Sequence, residues 1–559
     1  MRNETAVAAI SARLNQVHQA HWWVFALSIV VFQYVVGFGV VNPRNTRWLL
    51  GGDAASNYLG WEFFRKAPLT SFPLGSNPNF GTGFSSSIVF TDSIPLLAIP
   101  FKFILFAFHS DFQYFGFWLL ACFVLQGFFA VKLITRYAES LVIAISGSVL
   151  FLVAPVFVYR LTFDGFGHLA LTGQFVCLAA MGLVLDQTSR LRNWHLLLPI
   201  AVLVHFYLFG IAFVFFIANF IVRFFDRETT LTNRVRLIRT SLSSFVLTVF
   251  CFYLAGGFAS KSATAASYGR YRSSLSSLFD SKPSLDTSWS KIVKDIPDLP
   301  GSSEGFSFLG VAALLLFPIA IFGLCLMAKR KDLIFLLVFF VALVMLLFSF
   351  SPSISMANRE LFSYTVPPPF KPIFSAFRSA GRFSWPFIYV TLLLVVIGVQ
   401  QLKRRNSCFV LLLPIALVLQ TWDGGDAFAN TQERFLENSF QTALLNPIWT
   451  DLGSRYQNLI TVPPLNNDPN WIDFALLANR SNMTTNAAYV GRADEALIYE
   501  LSDRLQQQIE KYDFSPDTLY VLTNYPPNPL SSVLLDLNRS SQIKGASVYN
   551  LDGFVVIAP

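Results

Sequence analysis

Apolar runs organise the chain. Residues 22–41, "WWVFALSIVVFQYVVGFGVV", follow a short polar segment. Comparable runs recur near 112–131, 141–158, 169–185, 196–208, 209–222, 241–258, 309–328, 333–350, 385–402 and 407–421. Most approach the roughly 20 residues with which a helix crosses hydrocarbon, so the pattern predicts about eleven transmembrane helices within residues 1–421. Little polar sequence divides the pair at 196–222. The first run exceeds a signal-peptide core and lacks a small-x-small cleavage site, which predicts an uncleaved first helix. Beyond 421 the pattern changes. "NLITVPP" and "TLYVLTN" are short β-type runs, "DEALIYELSDRLQQQIEKYDF" is an amphipathic helix between them, and "ASVYNLDGFVVIAP" is a hairpin turning at Asp552-Gly553. The expected fold is therefore mostly α and polytopic, with a small α/β domain over 422–559.

Charge orients this layout. With a cytoplasmic N-terminus, the inner segments carry 17 Lys and Arg in 65 residues, against 16 in 164 for the outer ones. That asymmetry follows the positive-inside rule. It requires residues 93–108, which contain Pro95, Pro100 and Lys102, to be re-entrant or interface-lying rather than spanning. Long polar loops at 42–111, 259–308 and 351–384 then share the extracytoplasmic face with the C-terminal domain. Composition agrees: 54% of residues are hydrophobic and only 13% charged, where a soluble domain carries about a quarter charged. The net charge of +8 reads as topology, and no nucleic acid is expected as a partner. Cys122, Cys177, Cys251, Cys325 and Cys408 all lie in apolar runs without paired spacing, which predicts neither a disulfide nor a cysteine-bound metal. No internal repeat of the transporter kind is visible.

The candidate chemistry gathers at the loop-rich face. Asp53 follows Gly51-Gly52 directly after the first crossing; it is either a helix cap or a functional carboxylate, and a capping position would also fix its direction. Asp92 in "VFTDSIPLL" reads first as a cap, with Pro95 in the first turn. In "YRLTFDGFGHLALTGQF", Arg160, Asp164, His168 and Gln174 bracket a helix entry, although Asp164-Gly165 could be a turn and Arg160 an interfacial anchor. Asp164 with His168 is too small a set to argue a divalent metal. No G-x-S-x-G elbow supports a serine nucleophile. Glu304 in "SSEGFSFLG" reads as a capping charge or an acceptor for sugar hydroxyls. Arg378 and Arg382, four apart in "FRSAGRF", would share a helical face and clamp a phosphate, or else snorkel to the interface.

The layout, together with "GGDAASNYLGWEFFR", "FPLGSNPNFG", "TDSIPLLAIPFK", "GHLALTGQF", "EGFSFLG" and "FRSAGRF", resembles the GT-C superfamily of membrane glycosyltransferases. Within it, the chain is most similar to a group of bacterial inner-membrane proteins of this architecture, over nearly its whole length. The resemblance implies transfer of a sugar from a polyprenyl-phosphate donor to a glycan, lipid or protein acceptor of the cell envelope, by inversion, at the outer face of the inner membrane. It assigns Asp53 as the base or acceptor-orienting acid, with Asp164 and His168 in support. It assigns Arg378 and Arg382 to the donor phosphate; Asp92, Arg160 and Glu304, at the same face, are expected as further substrate contacts. The acid-any-acid pair of metal-dependent oligosaccharyltransferases is absent from the outer loops 42–111, 159–168, 259–308 and 351–384, so no cofactor is expected. A polysaccharide polymerase or a lipid-linked sugar flippase is the alternative; a flippase would need a polar path through the core, for which His205 and Tyr207 are the chief candidates.

Overall fold

The computed structural model describes residues 2–84, 86–105, 111–162, 167–188, 191–227, 229–259, 268–269, 271–282, 288–299, 302–436, 440–464, 466, 470–523, 542–543 and 545–559. The protein is mostly helical and carries a small C-terminal sheet. Among the described residues, five helices are long and apolar enough to cross a bilayer: Phe115–Ile134, Leu141–Leu161, Phe206–Phe225, Leu231–Leu254 and Ala380–Arg405. The bent pair Ser407–Asp423 and Gly425–Leu436 makes a sixth if it is one span. Pro95–Leu105, Leu169–Leu185, Leu191–Val204, Phe317–Lys329 and Leu333–Ser349 are shorter apolar helices of 10–17 residues. The chain is thus a multi-pass membrane protein in which nearly every predicted apolar run becomes a helix. The expected count of eleven full crossings is not reached by length and composition, because several runs break or stop short.

The least marked boundary shows why. Helices Trp194–Val204 and Phe206–Phe225 meet at His205, whose backbone is extended (φ −165°, ψ 138°) and whose Nδ1 accepts from the Tyr207 amide at 3.1 Å. The break therefore falls at a capping side chain inside the first predicted run, where hydropathy alone gives no sign of it. Elsewhere close packing decides. Helix Phe317–Lys329 crosses helix Trp385–Arg405 where Gly323 faces the Leu394 carbonyl and Gly398 faces the Ile319 carbonyl. A Cβ at either glycine would lie within 2.5 Å of backbone, so only glycine lets the two helices close.

The C-terminal sheet has the order β4-β3-β5-β8-β7-β6. Here β3 is Asn458–Val462, β4 Thr484–Thr485, β5 Thr518–Leu522, β6 Gln542–Ile543, β7 Ala546–Leu551 and β8 Phe554–Ala558; β1 (Ser353–Met356) and β2 (Arg359–Ser363) form a separate hairpin. β3 pairs in parallel with β4 and β5, whereas β8, β7 and β6 are antiparallel. The β7–β8 hairpin turns at Asp552 and Gly553, both at positive φ as a two-residue I′ turn requires. Helix Glu495–Glu510 starts at Asp494, whose side chain accepts from the Leu497 amide. This sheet is fastened to the first long loop. The Gly81 and Thr82 amides both donate to the Thr485 carbonyl at 2.9 Å, and Lys66 Nζ reaches the Asn479 carbonyl at 2.7 Å. Through these bonds the loop 42–111 and the C-terminal domain build one surface.

Candidate functional site

Gly51 is extended, Gly52 takes φ +53°, and helix Gly52–Lys66 follows. The left-handed glycine turns the chain out of the preceding 3₁₀ turn, Arg47–Leu49, and puts Asp53 in the first helical turn. Of the two readings of Asp53, the structure does not show the cap. Gly51 holds the N-cap position and no side chain caps the helix. Asp53 instead pairs with His168, Oδ2 to Nδ1 at 3.0 Å, while its charge also suits the positive end of the helix.

His168 is gripped on both nitrogens, because its Nε2 lies 3.0 Å from Glu304 Oε1. Burial opposes a charged ring, but Asp53 and Glu304 outweigh it and push His168 up to about 9. The ring is therefore an imidazolium at neutral pH, donating to two carboxylates.

Glu304 is the hub, on the short 3₁₀ helix Ser302–Gly305. Its Oε2 accepts from Arg160 Nη1 at 2.8 Å, and both carboxylate oxygens lie 3.1 Å from Arg382 Nη2. Arg160 Nη2 also donates to the Glu304 carbonyl at 2.8 Å. Desolvation alone would raise this carboxyl; Arg382, His168 and Arg160 together hold it well below the usual carboxylate range. Glu304 is thus no cap, and Arg160 no interfacial anchor: Arg160 is fully buried, between Tyr159 and Trp385.

The arginine pair also departs from expectation. Arg378 lies beyond the short helix Lys371–Ala376, and Arg382 lies on the 3₁₀ helix Ala380–Ser384, with Ser379 non-helical between them (ψ 68°). They share no helical face, because the Ser379 amide bonds the Tyr207 hydroxyl at 2.7 Å and redirects the backbone. Arg382 turns to Glu304 and stacks 4.5 Å over the Tyr207 ring. Arg378 Nη2 donates to the Gly491 carbonyl at 3.0 Å, and Arg492 Nη2 donates to the Ala376 carbonyl. This exchange ties the loop 489–492 of the C-terminal domain to the membrane part.

Asp92 is likewise no cap: helix Pro95–Leu105 begins three residues later, and Asp92 sits at φ +50°. Asn57 Nδ2 donates to the Thr91 carbonyl at 2.8 Å and Ser93 Oγ to the Asn57 carbonyl at 2.6 Å, which fixes the turn. The carboxylate is 3.5 Å from His205 Nε2. Since His205 Nδ1 accepts from a backbone amide, its proton sits on Nε2, towards Asp92. Gln174, by contrast, bonds the Val156 carbonyl and Tyr389 in the helix core. Asp164 lies outside the described residues.

Asp53, Asp92, His168, His205, Glu304, Arg378, Arg382 and Arg492 all line one cavity of about 540 Å³. Its polar part holds these groups, with Tyr271 and Tyr489; its apolar part, Phe206, Phe209, Phe245, Val249 and Phe252, comes from helices Phe206–Phe225 and Leu231–Leu254. Counting Arg160 behind Glu304, three carboxylates face four guanidiniums and an imidazolium, so the polar end complements an anion. Among the described residues no group of three or more His, Cys, Asp and Glu is arranged to hold a metal ion. Sequence reasoning missed Tyr489 and Arg492. "AAYVGRADE" carried one signal, an arginine after a glycine just ahead of a helix, but nothing local linked it to Arg378.

A sequence-family profile described as domain of unknown function DUF6311 matches residues 25–425, and one described as DUF6311 C-terminal domain matches residues 448–559. No curated protein matches the chain. Among solved structures, an Archaeoglobus fulgidus oligosaccharyltransferase tethered with an acceptor peptide containing the NVT sequon is similar over 90% of this chain and 68% of that one, at 11% identity and TM-score 0.44. ArnT from Cupriavidus metallidurans in the apo state is similar over 99% of this chain and 98% of its own, at 13% identity and TM-score 0.44.

Proposed function

We propose that this chain, which belongs to the DUF6311 family, is a membrane glycosyltransferase that moves a sugar from a polyprenyl-phosphate donor to a hydroxyl of a cell-envelope acceptor. The observation that carries the reading is the shape of the cavity's chemistry. An oriented carboxylate, Asp53, and a cationic wall stand at one end, and a phenylalanine-lined groove continues between helices Phe206–Phe225 and Leu231–Leu254. A donor with an isoprenoid tail, a phosphate and a sugar has the same sequence of apolar, anionic and hydroxylated parts.

In this reaction Asp53 takes the proton of the acceptor hydroxyl as its oxygen attacks the anomeric carbon. The bond from that carbon to the phosphate oxygen breaks, and lipid phosphate leaves as an anion. Attack opposite the leaving group inverts the anomeric centre. Arg378 and Arg492 neutralise the departing phosphate at the domain junction. Arg382 and Arg160 are committed to Glu304, so they position His168, which in turn directs Asp53. Asp92 accepts from substrate hydroxyls. The loop-rich face is extracytoplasmic and the membrane is the bacterial inner membrane, as the basic-residue asymmetry supports.

The test is reconstitution of the purified chain in liposomes with labelled polyprenyl-phosphate sugar and envelope extracts. The expected result is one lipid phosphate released per sugar transferred, with inverted anomeric configuration. Movement of intact donor between leaflets without cleavage would overturn the reading in favour of a flippase.

A further inference from the structure

A second cavity lies at the far end of the helices. Helix Trp385–Arg405 begins beside Arg382 and carries Arg404 in its last turn, and its 21 residues span roughly 30 Å at about 1.5 Å each. At that distant end a crevice of about 250 Å³ is lined by Arg13, Arg136, Arg330, Arg404, Glu139 and Gln401, among others. The four arginines come from four separate places: helix Arg2–Val35, the turn after Phe115–Ile134, the C-cap of Phe317–Lys329, and the last turn of Trp385–Arg405.

Within the lining one carboxylate, Glu139, stands against all four, and beyond it Asp186 lies in the field of Arg136. Arg404 Nη2 meets Glu139 Oε1 at 2.6 Å. The Arg404 hydrogen bond comes first among the causes that hold Glu139 below its ordinary range, and the field of Arg13 adds to it. Arg330 spends one Nη2 contact on Gln401 at 3.1 Å. Among the described residues no carboxylate ion-pairs with Arg13, Arg136 or Arg330. A topology bias requires basic residues in the loops of one face, but it does not require them to converge on one concave site. Convergence leaves an excess of three positive charges around a polar hollow, and planar guanidiniums are suited to bidentate phosphate contacts.

We infer that this crevice is a binding site for a phosphate-bearing anion, separate from the candidate active site. Two sources present that chemistry: an anionic phospholipid headgroup and a free phosphate ester or pyrophosphate. Arg136 also lines a second groove of about 290 Å³, which carries Lys132 and Asp186 at its charged part and Leu133, Leu178 and Leu197 along an apolar wall suited to an acyl chain of the lipid source.

The experiment uses the full chain in phosphatidylcholine nanodiscs, titrated with inorganic pyrophosphate at low salt, and a parallel preparation containing phosphatidylglycerol examined by native mass spectrometry. The variants are Arg13→Gln with Arg330→Gln, and separately Arg136→Gln, so that one misfolded variant does not end the test. Losing charge-assisted contacts should weaken binding by about tenfold or more. Pyrophosphate binding that falls in the variants supports a soluble source. Retained phosphatidylglycerol that is lost in the variants supports the lipid. Binding of neither probe, or binding equal in wild type and both variants, overturns the site. Pyrophosphate held at the candidate active site would be indifferent to these substitutions, so the two sites are told apart.

Discussion

At the polar end of the large cavity, every wall group is held by another. Glu304 is shared by Arg160, Arg382 and His168, and His168 is shared by Glu304 and Asp53. At the apolar end, side chains such as Phe245 and Val249 stand on helix Leu231–Leu254, which buries little of itself, and Phe245 remains 41% exposed. One end is a closed network of buried charges, which favours a single arrangement; the other is apolar and partly exposed. The difference matches what the proposed transfer would ask of each. Aiming a proton acceptor requires fixed geometry, whereas holding an isoprenoid requires only apolar area, which is non-directional.

The comparison breaks first at Asp53. Asp53→Asn keeps the size and can still accept from His168, so the melting temperature should shift by only a few degrees. Turnover with lipid-phosphate sugar should fall by about 10²–10⁴, the usual worth of a general base; wild-type turnover would remove Asp53 from the chemistry. Glu304→Gln attacks the hub instead. It leaves two buried guanidiniums and an imidazolium around a neutral amide, so stability should drop by about 3–5 kcal/mol in denaturant melts. A variant that melts like wild type would show that the cluster is not the rigid element.

Arg492→Lys sharpens the boundary between the ends. A point charge cannot replace the guanidinium fork. Donor KM should rise by about one to two powers of ten, the worth of a charge-assisted contact, with acceptor KM unchanged. His168 supplies a pH test. Its raised value means that its contribution to stability is fully present below about 6.5, the value of the free side chain, and is lost as pH rises through about 9. A melting-temperature profile should therefore decline over that window, and His168→Asn should flatten it. The smallest effect belongs to the apolar end. Phe245→Ala should cost donor binding about 1 kcal/mol, or about fivefold in KM, and only for long-chain donors. A loss as large with a short-chain analogue would mean that the groove does not hold the lipid.

The hairpin at Asp552-Gly553, helix Glu495–Glu510 with its Asp494 cap, and the apolar helices were all legible in the sequence, because each depends on residues within a turn or two of one another. For the same reason the local pattern could not choose between cap and site residue. Asp53, Asp92 and Glu304 look like caps when only the next four residues are considered, yet all three face the cavity.

What the sequence determined by itself was class and location: a polytopic chain with long loops at one face, a short-strand domain at its end, and charged residues at helix entries. Hydropathy, turn chemistry and spacing are local quantities, and they suffice for that much. Which charges meet was decided by the tertiary structure. Arg160 and Glu304 are 144 residues apart, His168 and Glu304 136, and Arg382 and Glu304 78. Arg492 reaches the cavity only because the C-terminal sheet is bonded to the first long loop. Buried charges must find partners wherever the chain brings them, and the energy that selects those partners exists only once water has been excluded from all of them together.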